Sequence, residues 1–84
     1  MNKEEFIKIF DEDDDSSWDG DNALQGCNIM AKYCEEVIQG AGHDVIWCCD
    51  IEELIDGGIT EEDCIQLRKL NWFIEDSSYM ACYV

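Results

Sequence analysis

The run Trp72-Phe73-Ile74-Glu75-Asp76-Ser77-Ser78-Tyr79-Met80-Ala81-Cys82-Tyr83-Val84 decides how this chain folds. Two stretches of aromatic and aliphatic residues flank a polar Asp-Ser-Ser break, which is the pattern of a β-hairpin. Working back, Val45-Ile46-Trp47-Cys48-Cys49 is a third β-branched and aromatic run and reads as a buried strand. Helical patterns precede and separate these runs. The order predicts an α+β fold of about four short helices with a small three-stranded antiparallel sheet, built from the strand near 45–49 and the C-terminal hairpin 72–84. The 84 residues read as one domain, 1–84, with no internal repeat.

The helices are read from caps and stripes. Asn2 and Glu5 have capping-box spacing ahead of Phe6, Ile9 and Phe10, predicting a helix over 3–10. Asn22 and Gln25 repeat that spacing. Leu24, Cys27, Ala31, Cys34 and Ile38 then recur as one helical face, widened by Met30, Tyr33 and Val37, with a stop at Gly40. Gly26 inside this stretch costs up to about 1 kcal/mol relative to Ala and leaves room for a close neighbour. Gly40-Ala41-Gly42-His43 reads as a turn. Asp50 caps a short helix with Glu53 in the reciprocal position, and Gly57-Gly58 ends it. Thr60 and Asp63 open the next helix, Ile59 and Cys64 sit at staple positions, Cys64, Leu67 and Leu70 face inward, and Asn71 is a left-handed stop. Residues 11–22 read as an acidic loop, with Trp18 folding back onto the core.

Charge narrows the function. Asp and Glu number 21 against 5 Lys and Arg, a net charge of −16. Duplex DNA of similar span, about 30 Å, carries on the order of 18 phosphate charges. Free nucleic acid and anionic membranes are therefore repelled, whereas a protein built to hold nucleic acid is attracted. The two short helices and hairpin of the second half follow the order of a winged helix-turn-helix. Its later helix opens Glu61-Glu62-Asp63 and has only Arg68 and Lys69 as basic residues, which argues against direct DNA reading. An apolar fraction of 46% argues against disorder. Without an apolar run of signal or membrane-spanning length, the chain is expected to be cytoplasmic, in a bacterial host if phage-encoded.

Cys27, Cys34, Cys48, Cys49, Cys64 and Cys82 lie within apolar patterns and read as buried free thiols. They lack structural zinc spacing, and His43 is a turn residue. Asp15, Ser17 and Asp19 match the opening oxygens of a calcium loop, with Gly20 at the sixth position. Asn22 and Gly26 then stand where an apolar residue and a bidentate Glu belong, so the loop is at best a weak calcium candidate. No nucleophile motif, phosphate loop or distinct acid–base pair is present, and neither catalysis nor a cofactor is expected.

The acids outnumber what helix N-termini use, and cations are nearly stripped out. Spaced carboxylates substitute for phosphates because Arg grips both bidentately. The leading expectation is a non-enzymatic mimic of nucleic acid that docks on the groove of a basic nucleic-acid-binding protein. The contact residues expected are Asp11, Glu12, Asp13, Asp14, Asp15, Asp19 and Asp21, with Trp18 as an aromatic anchor. Glu35, Glu36, Glu61, Glu62 and Asp63 would back them. An adaptor module for some other basic protein and a calcium-binding domain are the alternatives. In size, charge and self-contained fold the chain resembles small phage inhibitors of host defence, the anti-CRISPR and anti-restriction DNA mimics, and its stretches Gly58-Ile59-Thr60-Glu61-Glu62-Asp63 and Asn71-Trp72-Phe73-Ile74-Glu75-Asp76 resemble small phage proteins. The resemblance implies that it occupies the DNA site of a CRISPR effector or restriction enzyme.

Overall fold

Local chemistry sets most element boundaries in the computed structural model, which describes residues 1–12 and 21–83. Both halves of the capping box form at Asn2 and Glu5, starting α1 (Lys3–Asp11). Thr60 Oγ1 accepts from Asp63 N at 3.1 Å to start α4 (Glu61–Lys69). Asp50 caps α3 (Ile51–Asp56) by accepting from Glu52 N at 2.8 Å. Glu53 does not close that box; its carboxylate accepts instead from Gln39 Nε2 at 3.3 Å. Gly58 at φ 91° and Asn71 at φ 68° turn the chain out of α3 and α4, the left-handed exits expected of them. Residues 13–20 of the acidic run, with the expected fold-back of Trp18, lie outside the described residues.

The helix expected to reach Gln39 is much shorter. α2 (Asn22–Met30) ends where Lys32 N and Tyr33 N bond to the carbonyls of Ile29 and Met30, closing tight i→i+3 turns. Its N-cap is Asp21, and Asn22 is the first helical residue. The inward face also differs from the expected stripe. Asn22, Gly26 and Met30 are buried, whereas Leu24 is 62% and Ile38 59% exposed. The reason is tertiary. Asn22 Nδ2 donates to Leu70 O at 2.8 Å and to Cys82 Sγ at 3.3 Å, and Asn22 O accepts from Trp72 Nε1 at 3.1 Å. A Cβ on Gly26 would stand 2.6 Å from Trp72 Cζ2 and closer still to Nε1, so only glycine lets the indole lie on this helix.

The sheet has four strands among the described residues, one more than expected. β1 (Gly40–Ala41), β2 (Val45–Asp50), β3 (Phe73–Glu75) and β4 (Tyr79–Tyr83) lie in the order β1-β2-β4-β3, with every pair antiparallel. The added strand is the Gly-Ala segment read as a turn, paired through Gly40 with Trp47 and Ala41 with Ile46. A register shift between Trp47 and Asp50 places one extra residue in β2, a bulge at Cys48-Cys49. Asp76 and Ser77, both at φ 55°, form the left-handed pair of a primed hairpin turn. Alternation gives the sheet two faces. Ile46, Ile74, Met80 and Cys82 join Phe6, Met30, Leu54 and Leu67 in the helical core. Val45, Trp47, Phe73, Tyr79, Ala81 and Tyr83 take the other face.

Two cysteines depart from the free-thiol expectation. Cys34 and Cys49 are joined by a disulfide, while Cys27, Cys48, Cys64 and Cys82 are free. The early end of α2 sends residues 31–39 back along the sheet and brings Cys34 to Cys49, which a continuous helix would not do. Closing a span of 15 residues restricts the unfolded chain by about 3 kcal/mol. Reduction, or Cys34→Ser with Cys49→Ser, is expected to lower stability by about that amount in denaturant titrations run with and without dithiothreitol.

Candidate interaction surface

The structure divides the acids nominated from sequence into internal ligands and outward groups. Asp63 is an internal ligand. Its carboxylate accepts from Tyr33 Oη and pairs with Lys32 Nζ at 2.8 Å, which holds its pKa below the usual carboxylate value, with the Lys32 contact the larger cause and Tyr33 the next. This cluster staples the turn after α2 to the first turn of α4. Gly57 completes the contact, because a Cβ there would run into the Tyr33 carbonyl. Glu12 pairs with Arg68 at 3.2 Å, and the same guanidinium nitrogen donates to Ile9 O at 3.0 Å. Arg68 is thus buried, clamping the end of α1 to α4.

Asp11, Asp21, Glu35, Glu36, Glu61 and Glu62 are exposed. Asp13, Asp14, Asp15, Trp18 and Asp19, and with them Ser17 of the calcium candidate, lie outside the described residues. Among the described residues, no group of three or more His, Cys, Asp or Glu is placed to hold a metal ion. Three of the five cations are in ion pairs, through Lys3–Glu52, Lys32–Asp63 and Arg68–Glu12. Only Arg68 of these is buried; the Lys3 and Lys32 side chains stay exposed while paired.

Two of the nominated acids are brought together with two that the sequence reading left out. Glu35 and Glu36 share an open cleft of about 690 Å³ with Glu53 and Asp56, lined also by Tyr33, Cys34, Gln39 and Gly57. The cleft exists because residues 31–39 run beside α3 instead of continuing α2. Gln39 anchors its rim by donating to Glu36 O at 3.1 Å and Glu53 Oε1 at 3.3 Å. Gln39 also lines a second pocket of about 380 Å³ with Gly40, Trp47, Glu75, Asp76 and Tyr79. Gln39 therefore stands between an acidic concavity and one with the aromatic rings of Trp47 and Tyr79 in its lining. Alternation in the hairpin carried part of the signal for the second pocket, since Glu75 and Tyr79 are cross-strand partners on one face.

Cys27, Cys48 and Cys82 form a second cluster, and Cys64 lies buried apart from it. The side-chain interaction between Cys27 and Cys48 lowers the Cys27 pKa to about 7 and drives that of Cys48 far up. Burial raises Cys82. Cys64 is pushed up to about 12, mainly by burial and secondarily by Asp63 and Glu61. From pH 7 to 9 the folded chain releases the Cys27 proton before the unfolded chain does, so this group adds stability as pH rises. Above pH 9 the unfolded chain ionises the thiols of Cys48, Cys64 and Cys82, which the folded chain keeps protonated, so stability falls. The expected result is a melting temperature that declines between pH 9 and 10.5, and declines less in Cys64→Ala.

No protein family, curated protein or solved structure matches the chain. No helix among the described residues is long and apolar enough to cross a membrane.

Proposed function

We propose that the chain is a non-enzymatic inhibitor that mimics nucleic acid and occupies the DNA- or RNA-binding groove of a host defence nuclease or CRISPR effector. The observation that carries this reading is a net charge of −16 on a body measuring 30 × 28 × 22 Å, with only 5 Lys and Arg against 21 Asp and Glu. Long-range attraction would speed its encounter with a Lys- and Arg-lined groove, and salt would weaken the complex steeply. The Glu35-Glu36-Glu53-Asp56 cleft supports the reading, because it sets four carboxylates around one concavity that a basic ridge can enter. Individual carboxylates would stand in for phosphates in bidentate contacts with arginine.

The test is DNA cleavage by a panel of restriction enzymes and RNA-guided nucleases in the presence of the chain. Inhibition relieved both by excess non-specific DNA and by raising salt from 50 to about 300 mM supports mimicry, since ionic contacts weaken steeply over that range. Cleavage untouched across the panel, or inhibition indifferent to salt and DNA, overturns it. Changing Asp13, Asp14 and Asp15 together to Lys is expected to abolish inhibition with the fold intact, as judged by circular dichroism.

A further inference from the structure

The open face of the sheet carries more aromatic surface than folding uses. Trp47, Phe73, Tyr79 and Tyr83 share it, with Phe73 and Tyr83 stacked at 5.0 Å between ring centroids. Tyr79 is 42% and Tyr83 53% exposed. Aromatic sheet faces of this kind stack bases in single-strand binding proteins. A chain of this charge excludes that use. What remains is a cationic group that also stacks.

We propose that the pocket at the Trp47 end of this face holds an arginine side chain of the basic partner. The inference rests on the mimicry reading for the partner's charge and adds the contact that anchors it. Trp47 Nε1–H donates to Glu75 Oε2, so the indole is fixed and the carboxylate has a second oxygen left for a ligand. The ring lies against Gly40 of β1 and Gly42 just beyond it, and Gly42 makes room for it. A Cβ at Gly42 would come within 2.9 Å of Trp47 Cη2, and one at Gly40 within 3.4 Å of Cε3. Tyr79 and Asp76 complete the lining, which contains no Lys or Arg. A planar guanidinium satisfies both parts of such a site, its face on the ring and its N–H groups on the carboxylates. A lysine ammonium is a compact, strongly hydrated charge and gains less from the ring.

The probe is a terminally blocked tetra-arginine peptide, compared with tetra-lysine of equal charge. Binding is followed at the Trp47 indole N–H resonance of the ¹⁵N-labelled chain, assigned with Trp47→Phe. The arginine peptide is expected to bind about tenfold more tightly and to shift that resonance. Tyr79→Ser and Asp76→Asn should each reduce the preference at least about threefold; both positions are exposed, and Asn tolerates the φ of 55° at Asp76. Equal affinity for the two peptides, or a preference that survives both substitutions, overturns the proposal. Its failure is separable from that of mimicry. An arginine preference in a chain that displaces DNA from no nuclease leaves the pocket standing and removes the mimic. Displacement of DNA with no arginine preference does the reverse.

Discussion

Gly26→Ala is expected to destabilise the fold by about 2–3 kcal/mol, although alanine is the better helix former. The added Cβ overlaps the Trp72 indole, and the indole has nowhere to go. Trp72 is 3% exposed, and its N–H is tied to Asn22 O at 3.1 Å. Asn22 is tied in turn to Leu70 O and Cys82 Sγ, so a shift of the ring propagates into the end of α4 and into β4. Helix propensity returns at most about 1 kcal/mol of the loss. Urea titration gives the size, and the cause is read from Trp72→Leu in both backgrounds. If the clash is the cause, Gly26→Ala costs much less once the indole is gone, a coupling of about 1 kcal/mol or more. A Gly26→Ala variant as stable as the parent would show that α2 does not pack through this glycine.

The same contact explains where sequence reading succeeds and where it stops. Caps at Asn2, Asp50 and Thr60, the left-handed exit at Asn71 and the 73–83 hairpin are local events within a few residues, and each is legible. The inward face of α2 is not local. An amide and a glycine at Asn22 and Gly26 look like solvent positions until Trp72 and Leu70, about fifty residues on, supply the partners. β1 carries no strand signal in Gly-Ala; it is a strand because its backbone pairs with Ile46 and Trp47 of β2, a partner its own residues do not announce. The Cys34–Cys49 bond and the meeting of Glu35 and Glu36 with Glu53 and Asp56 both follow from the path of residues 31–39, which a helical stripe concealed. Overall charge was legible from composition. Which acids remain outward was not, because Asp63 and Glu12 are committed by Tyr33, Lys32 and Arg68.

Glu35→Lys with Glu36→Lys should separate function from folding, because the two effects run in opposite directions. The pair moves the net charge from −16 to −12, each substitution contributing two units, and reverses half of the four-carboxylate cleft. Placing two cations against a Lys- and Arg-lined groove turns attraction into repulsion at contact, and like-charge juxtaposition costs several kcal/mol. The concentration needed for half-inhibition of the sensitive nuclease is expected to rise about 100-fold. Both residues are exposed, and neither side chain makes an ion pair within the described residues, so folding loses nothing. Repulsion within the acidic surface is relieved, and the melting temperature at low salt should hold or rise. Added sodium chloride should stabilise the parent more than the variant, since there is more repulsion left to screen. A variant that keeps full potency moves the contact off the cleft. One that loses potency together with several degrees of melting temperature assigns these two glutamates to the fold instead. A destabilised but fully potent variant would likewise assign them to the fold and remove them from the contact. The mimic reading requires lost inhibition in a protein that has become no less stable, because surface charge selected for a partner is held against the preference of the fold itself.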